Sequence, residues 1–338
     1  MKTIAPSAKT VTETMRAVVW DRHGAPDDVL QVREVARPRP ADGEVLVRVH
    51  AAGVNPYDWH YYRGDPLMIR VMPGVARAKE SQRLGSDFAG EVAELGANVT
   101  GFRVGDRVYG GVDLGSFAEY VAVAGDRVAP MPSNMSFEEA AAVPMGAVTA
   151  MASLRTGRLE AGQSVIINGA SGGIGIFAVQ LAKALGASEV TGVCSTRNVA
   201  MVQMLGADSV VDYTREDYTR LGKRYDLFVE TQYSQPFLHS RRVLTRRGTF
   251  AFAGGGGGRL LGPGGPMLSA KLLSVFVPQR VAPVMAAGFR GVLPEITALI
   301  GAGKVRSVID ATYPLERIVD AMKHLETGHV SGKVVVTI

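Results

Sequence analysis

Cysteine is almost missing from this chain, which has one, Cys194, in 338 residues. A lone thiol excludes an internal disulfide and any multi-cysteine zinc site, and it fits a reducing compartment such as the cytoplasm. No apolar run approaches the roughly 20 residues needed to span a bilayer, so no membrane helix is expected. Residues 1–14 lack the apolar core of a signal peptide and read as a loose tail before the first strand-like run. The net charge of +5 is small, and its basic residues are scattered among acids. Aromatics make up only 7% and do not interleave with a basic stripe, which argues against a nucleic-acid surface. A phosphorylated small ligand accounts for the positive excess.

What is abundant is glycine, 40 residues, alongside 46% hydrophobic content. That describes a globular chain with many tight turns, long enough for two domains and a cleft. The first third reads as short strands: Met15 to Trp20, Leu30 to Val35, Glu44 to Val54, Phe88 to Leu95, Arg107 to Tyr109 and Phe117 to Val123. Asp42-Gly43, Gly96-Ala97-Asn98 and Gly105-Asp106 carry the turn chemistry between them, and the spacing suggests a compact barrel.

After Pro132 the period changes. A helix is expected over Ser136 to Leu154, with acids in its first turn. Strands and helices then alternate: Ser164 to Asn168, Ile174 to Leu185, Glu189 to Cys194, Asn198 to Leu205, Ser209 to Tyr213 and Tyr225 to Glu230. Further strands are expected at Thr249 to Ala253 and Leu272 to Val277. Such alternation builds an α/β doubly wound parallel sheet. The end of the chain holds strand runs Val305 to Ile309 and Lys333 to Ile338 around a helix, Leu315 to Leu325. Periodicity alone lets it extend the second sheet or return to the first.

Gly169, Gly172 and Gly175 sit between a buried strand and an amphipathic helix. In that setting the first glycine permits a tight turn, the second lets a pyrophosphate approach the backbone, and the third allows close helix packing. NAD-binding chains place an acid about 20 residues on, at the end of the next strand, to hold the ribose hydroxyls. Here that strand ends at Cys194 and runs into Ser195, Thr196 and Arg197. Two hydroxyls and a guanidinium suit a 2′-phosphate, so NADPH is the expected cofactor. Tyr213, ending the third strand, is placed against either the adenosine or the core.

Strands, a central glycine turn and strands again resemble the medium-chain dehydrogenase/reductase superfamily over nearly the whole chain. The closest likeness is to its zinc-independent quinone oxidoreductase branch. Ala52-Gly53-Val54-Asn55-Pro56-Tyr57-Asp58-Trp59, Gly85-Ser86-Asp87-Phe88-Ala89-Gly90, Cys194-Ser195-Thr196-Arg197-Asn198 and Gly206-Ala207-Asp208 resemble the subgroup of the mitochondrial reticulon-interacting oxidoreductase. The resemblance implies a GroES-like β-barrel catalytic domain, residues 15–134 and 305–338, and a Rossmann NADPH-binding domain, residues 135–304. It implies Ser171, Gly173 and Ile174 at the pyrophosphate, beside Gly172 of the turn, and Ser195, Arg197 and Tyr213 at the adenosine phosphate, beside Thr196. It also implies Thr231, Gln232, Gly254 and Gly255 on the nicotinamide side, with Val330 and Ser331 as late nucleotide contacts.

Zinc enzymes of the superfamily carry a cysteine after the Ala-Gly-Val run and a His-Glu pair after the following glycine. Those places hold Asn55 and Ser86-Asp87 here, so no metal is expected. What remains is direct hydride transfer to a quinone or an α,β-unsaturated carbonyl, a small-molecule substrate. His60, Tyr61 and Asn55 are the candidate catalytic residues; His60 and Tyr61 are the better proton donors, whereas Asn55-Pro56 and Asp58 also read as a helix cap. Glu230 to Gln235 departs from the Asp and glycine-containing run usual in relatives, and Ser331 stands where an arginine is common. An NADPH-binding protein without redox turnover, or a non-redox reaction such as cyclisation, is therefore the alternative. Family analogy also implies a homodimer.

Overall fold

The computed structural model describes residues 13–71, 82–254, 260–262, 264–284, 289 and 291–338. Most of the 1–14 tail, and Gly255, therefore lie outside the described residues; Thr14 already belongs to the first strand, Thr14–Trp20.

Six parallel strands form the nucleotide-type sheet. Numbered in chain order they are Ser164–Asn168, Glu189–Cys194, Ser209–Asp212, Tyr225–Glu230, Leu244–Phe252 and Arg280–Pro283, and in space they run 3-2-1-4-5-6. Strand order therefore reverses beside Ser164–Asn168, and the carboxyl ends on either side of such a reversal open a crevice. Val165, Ile166 and Ile167 are each fully buried because helices cover both faces.

The remaining strands are mostly antiparallel. Glu44–Val54 is the spine of a seven-stranded sheet, pairing with Asp87–Leu95, Tyr120–Ala124 and Lys333–Thr337. The last of these brings the chain's end back to its beginning: Val334 lies opposite Val54. Ile309–Pro314 then pairs in parallel with Lys333–Thr337. Gln31–Ala36, Thr14–Trp20 and Gln82–Arg83 form a small third sheet.

Three expectations need correction. Leu272 to Val277 is not a strand: helix Gly264–Leu273 runs into a 3-10 turn, Ser274–Phe276, and the sheet's last strand comes later, at Arg280–Pro283. A short apolar run does not distinguish strand from helix, and here it does not even mark core, since Val275 is 78% and Phe276 85% exposed. The helix over Ser136 to Leu154 divides into Phe137–Ala141 and Pro144–Gly157. Proline lacks the N–H a continuous helix needs and suits a fresh first turn. The strand placed at Val305 to Ile309 begins only at Ile309.

One hydrophobic cluster holds Ala51 and Ala89 of the seven-stranded sheet together with Val165 and Ile167 of the parallel sheet. Helix Pro144–Gly157 passes between them. An added Cβ at Gly146 would stand 2.3 Å from the Gly173 carbonyl oxygen, so this helix presses its first turn directly on the glycine turn. The two sheets are thus packed through the segment where a cofactor's phosphates are expected.

Candidate functional site

The glycine turn starts at the end of Ser164–Asn168. Gly169 has φ +80°, left-handed backbone that favours glycine, and its missing Cβ would lie 2.3 Å from the Thr231 hydroxyl oxygen. Gly172 N–H donates to the Gly169 carbonyl at 3.0 Å, closing the turn, and helix Gly175–Ala184 follows. A Cβ at Gly175 would meet the Gly169 carbonyl oxygen at 2.1 Å, whereas one at Gly172 would meet nothing nearer than 3.4 Å. The protein's own packing does not require a glycine at 172.

A cavity of about 690 Å³ opens in front of this turn. Among its walls are Ser171, Gly172, Ser195, Arg197, Tyr213, Gln232 and Val330, seven of the residues expected at a dinucleotide. The helix N-terminus, the backbone of the turn and the Arg197 guanidinium give it donors suited to an anion. No acid ends Glu189–Cys194, and Arg197 donates to the backbone carbonyl of His329 across the cavity mouth.

The other described cofactor candidates are not among the cavity walls. Thr196 donates to Asp212 at 2.6 Å, so its hydroxyl is engaged beside the cavity. Thr231 is buried and donates to the Asn168 carbonyl at 2.7 Å, directly under Gly169. Ile174 leads into the helix and packs on the core. Gly173 faces Lys333, whose Cδ would be 3.1 Å from a Cβ there. Gly254 has φ +150° with open space where its Cβ would be.

Ser331 donates to Asn198 Oδ1 at 2.7 Å, and Asn198 Nδ2 donates to Ser171 Oγ at 3.0 Å. Asn198 is therefore the joint of the Ser171, Ser195 and Ser331 segments. In the sequence Asn198 reads as a helix start and the last residue of the Cys194-Ser195-Thr196-Arg197-Asn198 run, neither of which signals this joint. Arg215 and Ser234 also line the cavity and were not singled out.

Glu230 ends its strand fully buried. Its Oε1 accepts from Asn168 Nδ2 (2.8 Å), Gln232 N (2.8 Å) and Tyr233 N (2.7 Å), while Oε2 has no partner. Burial pushes its carboxyl up to about 7 against these bonds.

None of Asn55, His60 and Tyr61 lines the 690 Å³ cavity. Asn55 is buried, and its side chain is fully engaged. Nδ2 donates to Ser86 Oγ (3.2 Å), Asp87 Oδ2 (3.0 Å) and the Gly53 carbonyl (3.3 Å), and Oδ1 accepts from Lys333. Asn55 N–H donates to Asp58 Oδ2 at 2.8 Å, the cap read from Asn55-Pro56. His60 Nδ1 bonds the Asp65 carbonyl. A carbonyl only accepts, so Nδ1 holds the proton and neutral His60 offers an acceptor at Nε2; burial also lowers its basicity. Tyr61 shares a 2.6 Å hydroxyl contact with Tyr57, and burial raises its pKa, so it keeps its proton at neutral pH.

At Asn55 and Asp87 the Lys333 ammonium occupies the polar cluster, seated on Asn55 and 3.6 Å from Asp87 Oδ2. Cys194 is buried on the parallel sheet, and no group of three His, Cys, Asp or Glu able to hold a metal occurs among the described residues. No described helix is long and apolar enough to cross a membrane.

Comparison with known proteins matches residues 41–133 to the alcohol dehydrogenase GroES-like domain and residues 205–336 to a zinc-binding dehydrogenase domain. The chloroplastic quinone-oxidoreductase homolog of Spinacia oleracea is 31% identical, with 95% of this chain and 98% of that one covered. The mitochondrial NAD(P)H oxidoreductase RTN4IP1 of Homo sapiens is 32% identical over 98% of this chain and 93% of its own length. The chloroplastic NADPH-dependent alkenal/one oxidoreductase of Arabidopsis thaliana is 30% identical over 97% and 80%. Among solved structures, the quinone oxidoreductase from Coxiella burnetii superposes with a TM-score of 0.83 at 28% identity, covering 96% of this chain and all of that one.

Proposed function

This chain belongs to the quinone oxidoreductase branch of the medium-chain dehydrogenase/reductase family, a family of nicotinamide-dependent oxidoreductases, and on that footing we propose that it reduces a quinone or an α,β-unsaturated carbonyl with NADPH. The observation carrying this reading is the cavity that runs from the Gly172 turn to Ser195, Arg197 and Tyr213. NADPH, when bound, supplies hydride, two electrons with one hydrogen nucleus. An enone accepting hydride at its β-carbon takes one proton at the α-carbon; a quinone accepting hydride and one proton leaves as the hydroquinone.

The protein's part is to hold and orient. The turn and the helix behind it would hold the pyrophosphate, and Ser195 and Arg197 would hold the 2′-phosphate. Tyr61, protonated and hydrogen-bonded to Tyr57, is the side chain suited to donate the proton, with water as the other source. The site works without zinc, its would-be metal place taken by the Lys333 ammonium. We also read the protein as a homodimer in a reducing compartment such as the cytoplasm. The outer edge of Arg280–Pro283 is unpaired among the described residues, and Cys194 is an unpaired thiol.

The test is turnover. Purified protein mixed with NADPH and a panel of quinones and enones should lose absorbance at the reduced nicotinamide band, with metal analysis finding no stoichiometric zinc. NADPH binding without oxidation by any acceptor refutes the enzymatic reading, and activity abolished by a chelator refutes the zinc-free one.

A further inference from the structure

Lys333 is 3% exposed, and its ammonium sits among Asn55, Asp87 and Asp58 in the interior. Burying an ammonium is costly, and a buried ion pair is often replaced by apolar residues at no loss of stability. Packing alone does not account for it. Its surroundings do more. The stem of Lys333 runs under the glycine turn, with Cδ 3.1 Å from where a Gly173 Cβ would be, and the preceding Gly332 N–H donates to the Ser171 carbonyl at 2.8 Å. At its far end Asp87 accepts from Met145 N–H at 3.1 Å, holding the first turn of helix Pro144–Gly157, whose Gly146 presses on the Gly173 carbonyl. The turn is held from two sides, by a lysine stem and by a helix, and both are anchored on one carboxylate.

We propose that Lys333 is a positioning residue for hydride transfer, fastening the floor of the cofactor turn at Gly173 to the helix-capping Asn55 and to Asp87 of the seven-stranded sheet and so fixing the alignment of cofactor and acceptor. The proposal rests on the nicotinamide-dependent reading above. Burial pushes the Asp87 carboxyl up and the Lys333 amine down, and each opposes the other's shift, so the two are tested together.

Wild type, Lys333→Met, Asp87→Asn and the double variant are compared in thermal unfolding, NADPH affinity, kcat and the kinetic isotope effect with NADPH deuterated at the transferred position. Each single change leaves a partner buried and uncompensated and lowers Tm. The double change removes the pair while Asp87→Asn keeps an oxygen for Met145, so Tm recovers most of the loss. A displacement near 1 Å costs on the order of 100-fold in rate, so the folded double variant should bind NADPH within about threefold of wild type yet lose roughly 100-fold in kcat, with a larger isotope effect. A double variant with kcat and isotope effect like wild type overturns the proposal and leaves a merely structural ion pair. If the double variant does not fold, Lys333→Gln decides, since its amide is uncharged and shorter: about a tenfold or greater loss of kcat supports positioning, and wild-type kcat refutes it. A wild-type protein that oxidises no NADPH with any acceptor overturns the functional reading and this one with it. Turnover in wild type with an equally fast double variant overturns this one alone.

Discussion

Replacing Gly172 and Gly175 separately with alanine distinguishes a glycine kept for the fold from one kept for a ligand. At Gly175 the new methyl would stand 2.1 Å from the Gly169 carbonyl oxygen and 2.6 Å from Ala170 Cα, backbone atoms that cannot swing aside. Overpacking of this kind costs about 1–3 kcal/mol and displaces the turn. At Gly172 the nearest atoms are 3.4 and 3.6 Å away, ordinary contact, and this glycine is not among those with positive φ. Gly172→Ala should therefore leave Tm unchanged or raise it slightly, since alanine restricts the unfolded chain by about 0.4–1 kcal/mol. The methyl would point into the space assigned to the pyrophosphate. Losing one charge-assisted hydrogen bond there, about 1.5–3 kcal/mol, weakens NADPH roughly 10- to 150-fold. The assay is fluorescence titration with NADPH beside thermal unfolding of both variants. Gly175→Ala should lose stability and affinity together, Gly172→Ala affinity alone. A Gly172→Ala protein that binds NADPH as wild type does would refute the placement of the pyrophosphate at this turn, and the cofactor reading with it.

Arg197→Ala should lose about tenfold or more in NADPH affinity while NADH binding stays near its original level; equal losses for both would remove the 2′-phosphate assignment. Tyr61→Phe should lower kcat for enones by about 100-fold if the hydroxyl gives the proton, with His60→Ala much milder; an unchanged kcat in Tyr61→Phe would leave water as the donor. Burial pushes Asp58 up to about 8, against its backbone bond from Asn55. Below pH 4 the folded and unfolded chains are both protonated there. Between about 4 and 8 the unfolded chain releases the proton and the folded one keeps it, so stability falls as pH rises through that window. Glu230 adds to the fall between its ordinary range and about 7. Asp58→Asn should flatten the decline of Tm with pH, and an unaltered slope would show that Asp58 is ionised in the folded protein.

What could be read from the sequence follows the range over which each signal acts. The glycine turn and its flanking strand and helix are local, fixed by residues within a few positions, and Gly169 and Gly175 sit where their spacing placed them. The absent acid after Cys194 was equally local. The surface apolar run Leu272 to Val277 misled, because hydrophobicity records the preference to be buried and not whether the fold grants it. The polar cluster at Asn55 was only half legible. Asn55-Pro56 and Asp58 announce a helix cap three residues wide, and the cap is there. That Asn55 also meets Ser86, Asp87 and Lys333 depends on Lys333–Thr337 pairing with Glu44–Val54 from nearly 280 positions away. No periodicity encodes that pairing, since a buried strand at the end of a chain reads the same whichever sheet receives it. The register does the rest: because Val334 lies opposite Val54, the residues just outside the pair, Lys333 and Asn55, are brought together at the end of both strands. A lysine that in sequence simply opens a strand run is thereby delivered to the inside, beneath the glycine turn.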